Sequence, residues 1–124
     1  MTEPETQKLV IVVTHGSEYP EIATLPFVVG NAALAMEARA TIILQSNAVE
    51  LATKGIYEHV FAGGFDPLQK LVATFLENGG TLLACIPCLE HRKIPVDRLL
   101  EGTQPVKAGR VVVELLEASS VVSY

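Results

Sequence analysis

Two cysteines, the only ones in the 124-residue chain, lie three positions apart in the stretch LLACIPCLEHRKIP at residues 82–95. Cys85 and Cys88 form a C-x-x-C pair, and a basic cluster that begins with His91 and Arg92 follows directly. A cysteine becomes a nucleophile as the thiolate, which basic side chains and free backbone N–H groups stabilise. The pattern favours reactive thiol chemistry over the alternative that Cys85 is a small buried core residue.

The first alternative for the pair is a dithiol that cycles with a disulfide, as in thioredoxin-like oxidoreductases. Pro87 stiffens the loop between the two sulfurs, and a C-x-x-C near alternating strands and helices favours this interpretation. A thioredoxin motif, however, begins a long helix, whereas only LEHRKI separates Cys88 from the helix-breaking Pro95. The dithiol mechanism stays open as an alternative.

Zinc binding is the second alternative. Cys85, Cys88 and His91 supply three candidate ligands, and a structural zinc site needs a fourth. The chain has no second cysteine or histidine pair, so His15 or His59 would have to complete the site.

The AGGF segment matches neither the Walker nor the G-x-G-x-x-G pattern of nucleotide-binding loops. We therefore expect no metal ion and no cofactor.

Composition and charge exclude several classes of function. The chain is 49% hydrophobic and 19% charged, which is typical of one ordered domain over residues 1–124. A formal net charge of −5 without a basic stripe predicts no nucleic-acid partner. The acidic start MTEPETQK is unlike a signal peptide, and the apolar run at 9–13 is too short to span a bilayer. We expect a cytoplasmic protein with no membrane partner, whose residues 1–7 are a flexible polar start.

Strand-like and helix-like segments alternate along the whole chain. Strands are predicted at 8–15, 41–45, 81–86, 103–106 and 120–124. Helices are predicted at about 24–38, 67–78, 95–100 and 109–119, with a further short helix ending at Gly55. This alternation predicts parallel pairing with right-handed crossovers, and hence a three-layer α/β fold with helices on both faces of a five-stranded sheet.

The clearest helix signal places the cysteines. We expect Asp66 to cap that helix, Pro67 to fit its first turn and Gly79 to end it. The strand that follows ends at Cys85, and the first strand of the chain ends at His15, which could orient a substrate or a thiolate. Because the usable crevice of a parallel sheet lies outside the carboxyl ends of its strands, we place the candidate site at that edge. The scattered carboxylates are interpreted as solvated helix faces.

These segments resemble the DsrE/DsrF-like family, which includes the DsrE and TusD types of sulfur relay subunit. The resemblance covers nearly the whole chain, in the stretches KLVIVVTHGSEYPEIA, NAVELATKGI, FDPLQKLVATFLENGGTLLACIPCLEHRKI and VVVELLEASSVVSY. Its diagnostic feature is a cysteine at a strand end followed seven residues later by arginine, here Cys85 and Arg92. Some members carry a C-x-x-C there, as this chain does with Cys88. Glycine usually follows the arginine, whereas this chain has Lys93, which leaves the loop geometry open.

The resemblance implies a flavodoxin-like fold with a mainly parallel sheet, assembly into trimers or hexamers, and a persulfide on Cys85. Sulfur-donor and sulfur-acceptor proteins are the implied partners. Exchange between thiolates and persulfides fits these residues, with Cys85 as the acceptor and His91 and Arg92 stabilising the anion. Cys88 either releases the sulfur by forming an internal disulfide or is only a neighbour. A noncatalytic oligomeric subunit is a further alternative, because a fold alone assigns no function.

Overall fold

A five-stranded sheet forms the centre of the protein in the computed structural model, which describes residues 6–124. The strands are β1 Lys8–Val13, β2 Arg39–Leu44, β3 Thr81–Cys85, β4 Thr103–Val106 and β5 Ser120–Ser123. They lie in the order β4-β3-β2-β1-β5, and every neighbouring pair is parallel. The predicted α/β fold is confirmed, and the sheet expected to be mainly parallel is parallel throughout.

Helices cover both faces of this sheet unequally. They are α1 Pro20–Ala35, α2 Leu68–Glu77, α3 Ile86–His91 and α4 Ala108–Glu117. The chain steps from β1 to β2 to β3 in one direction, so right-handed crossovers place α1 and α2 on one face. The return from β4 to β5 places α4 on the other face. No helix within residues 6–124 is long and apolar enough to cross a membrane.

The core has a large layer under α1 and α2 and a smaller one under α4. Adjacent strand residues point to opposite faces, so Ile42 belongs to the large layer and Ile43 to the small one. Leu82 and Leu83 divide in the same way along β3. Burial on both faces explains why the sequences of the central strands are continuous apolar runs. It also holds β3, which ends at the cysteines, in a fixed position.

Helix α1 begins earlier than the prediction of 24–38. It starts with Pro20, where the missing N–H costs no helical hydrogen bond. Pro26 lies inside the helix instead of near its start, and the Thr24 hydroxyl donates to the Pro20 carbonyl at 2.7 Å. The pattern-based start was wrong because buried residues on both sides of Pro26 hold the helix together across it.

Two predicted helix details are wrong. Asp66 does not cap α2, since Pro67 occupies the cap position and Asp66 pairs with Lys70 across one turn at 3.6 Å. The helix expected at 95–100 is only a 3₁₀ turn at Val96–Arg98. Each prediction rested on one or two local residues. Asp66 bonds to the Lys70 side chain instead of capping the helix, and the segment after Pro95 forms only a single turn.

The short helix predicted to end at Gly55 is replaced by two 3₁₀ elements. A 3₁₀ helix at Ser46–Ala52 follows β2, and a second short 3₁₀ turn at Tyr57–His59 follows it. Gly55 lies in the turn between them with a φ of 93°. The 3₁₀ helix matters for the site because its first residues lie beside the cysteines.

The flexible start predicted at 1–7 lies mostly outside the described residues, which begin at residue 6. The Gln7 carbonyl accepts a hydrogen bond from the Arg39 backbone N–H at 2.8 Å. Residue 7 is thus joined to the sheet at the start of β2.

Candidate functional site

Both cysteines lie at one strand-to-helix junction. Cys85 is the last residue of β3 and the N-cap of α3, and Cys88 lies in the first turn of α3. Pro87 fits between them because an N–H in the first turn has no helical partner. Both cysteines are free thiols and are partly exposed. Strand β3 therefore delivers both sulfurs to the carboxyl edge of the sheet.

The Cys88 sulfur accepts a hydrogen bond from the backbone N–H of Ser46, with an N to Sγ distance of 3.2 Å. Ser46 begins the 3₁₀ helix after β2, and its φ of 54° lies in the left-handed region that non-glycine residues rarely adopt. A hydrogen-bond donor stabilises negative charge on the sulfur it faces. A strained residue thus directs a donor at Cys88.

Arg92 joins α3 to the loop after β2. Its Nε donates to Asn47 Oδ1 at 2.9 Å, and its Nη1 donates to the Cys88 carbonyl at 3.2 Å. Its Nη2 donates to Ser46 Oγ at 3.4 Å. These contacts hold the guanidinium beside the cysteine loop, where its charge favours the anionic form of Cys85.

The pKa of the Cys85 thiol nevertheless lies above its ordinary value of 9.0. Burial is the largest cause, and the neighbouring Cys88 side chain raises the pKa further. The Cys88 amide and the charge of Arg92 lower the pKa of Cys85, but by less than the other two effects raise it. The Cys85 side chain does not cap α3. The Cys85 thiol therefore ionises less readily than an ordinary cysteine, although Arg92 beside it favours the anion.

The loop after β1 is filled by carboxylates of the chain itself. The Gly16 N–H donates to both Glu18 oxygens at 3.0 and 3.1 Å. Ser17 donates its N–H and its hydroxyl to Glu50 Oε1 at 3.2 and 3.0 Å. Burial raises the pKa of Glu18, but the backbone hydrogen bonds and the Asn47 side chain outweigh it and hold the pKa below 4.5. These two carboxylates accept hydrogen bonds from the loop, whereas the sequence predicted that they lie on solvated helix faces.

His15 lies on the same edge as the cysteines but belongs to this neighbouring loop. Its ring packs edge-on against Tyr19, with 5.3 Å between ring centroids, and its charge helps to lower the pKa of Glu18. Because β2 lies between them, the carboxyl ends of β1 and β3 are about 10 Å apart. Among residues 6–124, the His15 Nδ1 is buried without a hydrogen-bond partner. No hydrogen bond links His15 to Cys85 in that part of the chain.

His91 does not join the cysteines either. It is exposed in the last turn of α3, and no side-chain hydrogen bond to it occurs within the described residues. No group of three or more His, Cys, Asp or Glu side chains in residues 6–124 could hold a metal ion. The zinc alternative, which combined Cys85, Cys88 and His91 with His15 or His59, therefore has no assembled ligand set there.

Sequence reasoning missed Ser46 and Asn47. A Cβ at Gly16 would overlap the Asn47 carbonyl oxygen, so this glycine allows the loop after β1 to pack against the loop after β2. The available signal was a polar Ser-Asn pair directly after the buried strand predicted at 41–45, at the same edge as Cys85. Those two residues reach both the cysteine helix and the loop after β1.

Lys93 ends α3 in the backbone conformation that glycine favours. Its φ is 56°, and its N–H donates to the Glu90 carbonyl at 3.0 Å. The Ile94 N–H donates to the Leu89 carbonyl at 3.0 Å, which completes a Schellman motif around two buried apolar side chains. Lys93 therefore adopts the backbone conformation of a glycine, and this answers the question of loop geometry that the sequence left open.

We expect Lys93→Gly to raise the free energy of unfolding by about 0.5–1 kcal/mol, because relief of the left-handed strain exceeds the added chain entropy of glycine. Urea unfolding should show a higher midpoint with an unchanged slope. Glu90→Gly, at an exposed helical position of α3, is the matched control and should lower the midpoint. A lower midpoint for Lys93→Gly would contradict the strain argument.

Three solved structures of low sequence identity share this fold. The crystal structure of the ychN protein from E. coli is 20% identical with a TM-score of 0.82, over 96% of this chain and 100% of that one. The conserved protein of unknown function BT1422 from Bacteroides thetaiotaomicron is 19% identical with a TM-score of 0.69, over 95% of each chain. The protein of unknown function MTH1491 from Methanobacterium thermoautotrophicum is 15% identical with a TM-score of 0.67, over 97% of this chain and 100% of that one.

Sequence comparison gives the family more directly than these structures do. No curated protein matches the sequence significantly. The sequence profile of the DsrE/DsrF-like family matches residues 7–124, from the residue before β1 to the end of the chain. The match covers every described strand and helix, including the cysteine loop. The chain belongs to the DsrE/DsrF-like family.

Proposed function

We propose that the protein is a cytosolic sulfur carrier or sulfurtransferase subunit that holds a persulfide on Cys85, acting as a single domain. The observation that carries this proposal is the pair of free, partly exposed thiols at one strand-to-helix junction. Arg92 and the Ser46 N–H lie beside that pair and favour negative charge on sulfur. Membership of the DsrE/DsrF-like family supports a role in sulfur relay.

The chemistry is an exchange between sulfurs. A thiolate of the site attacks the outer sulfur of a donor persulfide, R–S–SH, so that one S–S bond forms and the donor S–S bond breaks. The donor leaves as the thiolate R–S⁻. An acceptor thiolate later removes the outer sulfur from Cys85 by the same step, and Cys85 is then the leaving group. The outer sulfur is conserved throughout, so no other reactant is consumed.

Proteins that donate and accept sulfur are the proposed partners. Both sulfurs are partly exposed at the carboxyl edge, so a partner cysteine can approach without opening the core. The loop after β1 and the loop after β2 flank this approach and present mostly polar groups, including Ser17 and Ser46. The edge is thus suited to transient docking of a polar partner surface.

Mass spectrometry of the reduced protein tests the proposal after incubation with thiosulfate or polysulfide. We expect a mass gain of one sulfur atom that maps to Cys85 and is removed by a reductant. Cys85→Ala should carry no stable adduct at position 85. Loss of two hydrogens with no sulfur gain would instead indicate a Cys85–Cys88 disulfide and the dithiol oxidoreductase alternative, which the proximity of the two thiols favours.

We also propose that the protein is a homo-oligomer, a trimer or a hexamer. Helix α4 covers its face of the sheet alone and exposes Val112, Val113 and Leu116, and the edge strand β5 exposes Val121. A contiguous apolar surface of this kind is typical of an interface. The molecular mass in solution tests the proposal.

A further inference from the structure

We infer that Cys88 is the thiol through which sulfur enters the site, and that Cys85 receives the sulfur from Cys88 in a second exchange. This inference rests on the proposed function and gives its two cysteines different roles. Two observations carry it: the Ser46 N–H is directed at the Cys88 sulfur, and both thiols lie at one strand-to-helix junction.

The donor is the Ser46 N–H, which lies 3.2 Å from the Cys88 sulfur. Its direction is set by a left-handed backbone at Ser46, and Arg92 secures that residue by donating to Ser46 Oγ. The Arg92 Nη1 also donates to the Cys88 carbonyl, so the donor and the sulfur are held by the same guanidinium. The Cys85 sulfur interacts instead with the Cys88 side chain, which raises its pKa, and with the Cys88 amide, which lowers it. The resting dithiol therefore has a built position for negative charge at Cys88.

The surroundings of Cys85 disfavour its thiolate. Burial and the Cys88 side chain both raise the pKa of Cys85, and the Cys88 amide and the charge of Arg92 only partly offset this. The charged or titratable groups around the pair are few. Arg92, which follows α3, bonds to the Cys88 carbonyl and its charge acts on Cys85, and Glu18 is held by Gly16 and the Asn47 side chain. Glu50 is bound by Ser17 and His91 is exposed, and neither is among the groups that shift the pKa of Cys85.

The first exchange loads Cys88. Its thiolate attacks the outer sulfur of the donor R–S–SH, the new Cys88–S bond forms, and the donor S–S bond breaks to release R–S⁻. The proton stays on the outer sulfur or is lost to water, since a persulfide ionises readily. Cys85 keeps its proton throughout this step.

The second exchange moves the sulfur to Cys85. The Cys85 proton first passes to the outer sulfur of Cys88–S–S⁻, and the Cys85 thiolate so formed attacks that outer sulfur as its bond to the Cys88 sulfur breaks. Cys88 leaves as the thiolate, so the products are Cys85–S–SH and Cys88–S⁻. The Ser46 N–H stabilises this leaving group, and a stabilised thiolate leaves faster. The same hydrogen bond therefore assists entry at Cys88 and departure from it.

Alkylation of the wild-type protein tests the charge assignment without any sulfur transfer. The reduced protein is treated with substoichiometric iodoacetamide at pH 7, and the labelled peptides are resolved by mass spectrometry. We expect Cys88 to be labelled about threefold or more ahead of Cys85, because the thiolate is the nucleophile. Faster labelling of Cys85 would overturn the inference.

Time-resolved loading with a low-molecular-weight alkyl persulfide tests the order of the two exchanges. Sulfur should map to Cys88 first and to Cys85 later, and in Cys85→Ala the sulfur should stay at Cys88. Cys88→Ser keeps the side-chain size but should slow loading of Cys85 about tenfold or more at pH 7, with recovery at alkaline pH as Cys85 ionises. Unchanged loading of Cys85 in Cys88→Ser would overturn the inference.

The two experiments separate this inference from the proposed function. Preferential labelling of Cys88 with no sulfur uptake at either cysteine would end the carrier proposal and leave the charge assignment supported. Sulfur uptake at Cys85 with preferential labelling of Cys85 would support the carrier proposal and overturn the two-step path.

Discussion

Lys8→Met should lower the free energy of unfolding by about 3 kcal/mol at neutral pH. The Lys8 side chain is only 6% exposed and lies 3.2 Å from Glu114, whose side chain is 8% exposed. Methionine has a similar length but no charge, so Glu114 would be left buried with Arg110 as its remaining ion-pair partner. Breaking one member of a buried pair is costly because the other charge loses its compensation. Urea unfolding at pH 7 measures the loss.

The same substitution should carry a pH signature. Burial raises the pKa of Glu114, but Lys8, Thr41 and Arg110 outweigh it and hold the pKa below 4.5. A depressed carboxyl pKa stabilises the fold above the unfolded value and loses that contribution as the pH falls through the folded value. Without Lys8 the pKa of Glu114 should rise. The difference in stability between wild type and Lys8→Met should therefore narrow as the pH falls below about 4.5.

Two controls make the Lys8 result specific to a buried pair. Lys70→Met removes the exposed Lys70–Asp66 pair, in which the lysine side chain is 68% exposed, and should cost less than about 0.5 kcal/mol. The double replacement of Lys8 by Met and Glu114 by Leu removes both buried charges and should recover most of the lost stability. A stability difference for Lys8→Met that stays constant from pH 7 to acid would contradict the role of Glu114.

The fold was largely predictable because its strands carry unambiguous patterns. Residues 41–45 and 81–86 are continuous apolar runs, and burial on both faces of a parallel sheet requires such runs. The position of Cys85 at a strand end followed from the same reasoning. The start of α1 was less predictable, because a proline inside a helix is normally a break and here Pro26 is held by packing on both sides.

The electrostatics of the site could not be predicted from the sequence. Basic residues after Cys88 suggested an activated Cys85, but pKa values depend on burial and on the direction of individual donors. The decisive donor is the backbone N–H of Ser46. Its direction follows from a left-handed φ, which a serine in the sequence does not predict. The pairing of Lys8 with Glu114 was missed for the same reason, because it joins opposite ends of the chain.

Leu116→Glu should convert the proposed trimer or hexamer into a monomer. Leu116 is 81% exposed on α4, beside Val112 and Val113, each about half exposed. A glutamate placed among these side chains in an interface would lose its hydration without gaining a partner, because Glu114 and Glu117 nearby carry the same charge. In the free chain the position is open to water, so the fold should tolerate the change. Light scattering coupled to size exclusion measures the mass of both proteins at micromolar concentration.

Met36→Glu is the matched control for this experiment. Met36 is also 81% exposed, but it follows α1 on the opposite face of the sheet from α4. The substitution adds the same charge to an equally exposed apolar position, so it should leave the oligomeric mass unchanged if α4 forms the interface. An unchanged mass for Leu116→Glu would show that α4 lies outside the interface. A monomeric wild-type protein would instead mean that the valines and leucine of α4 face water, and it would overturn the assembly proposal.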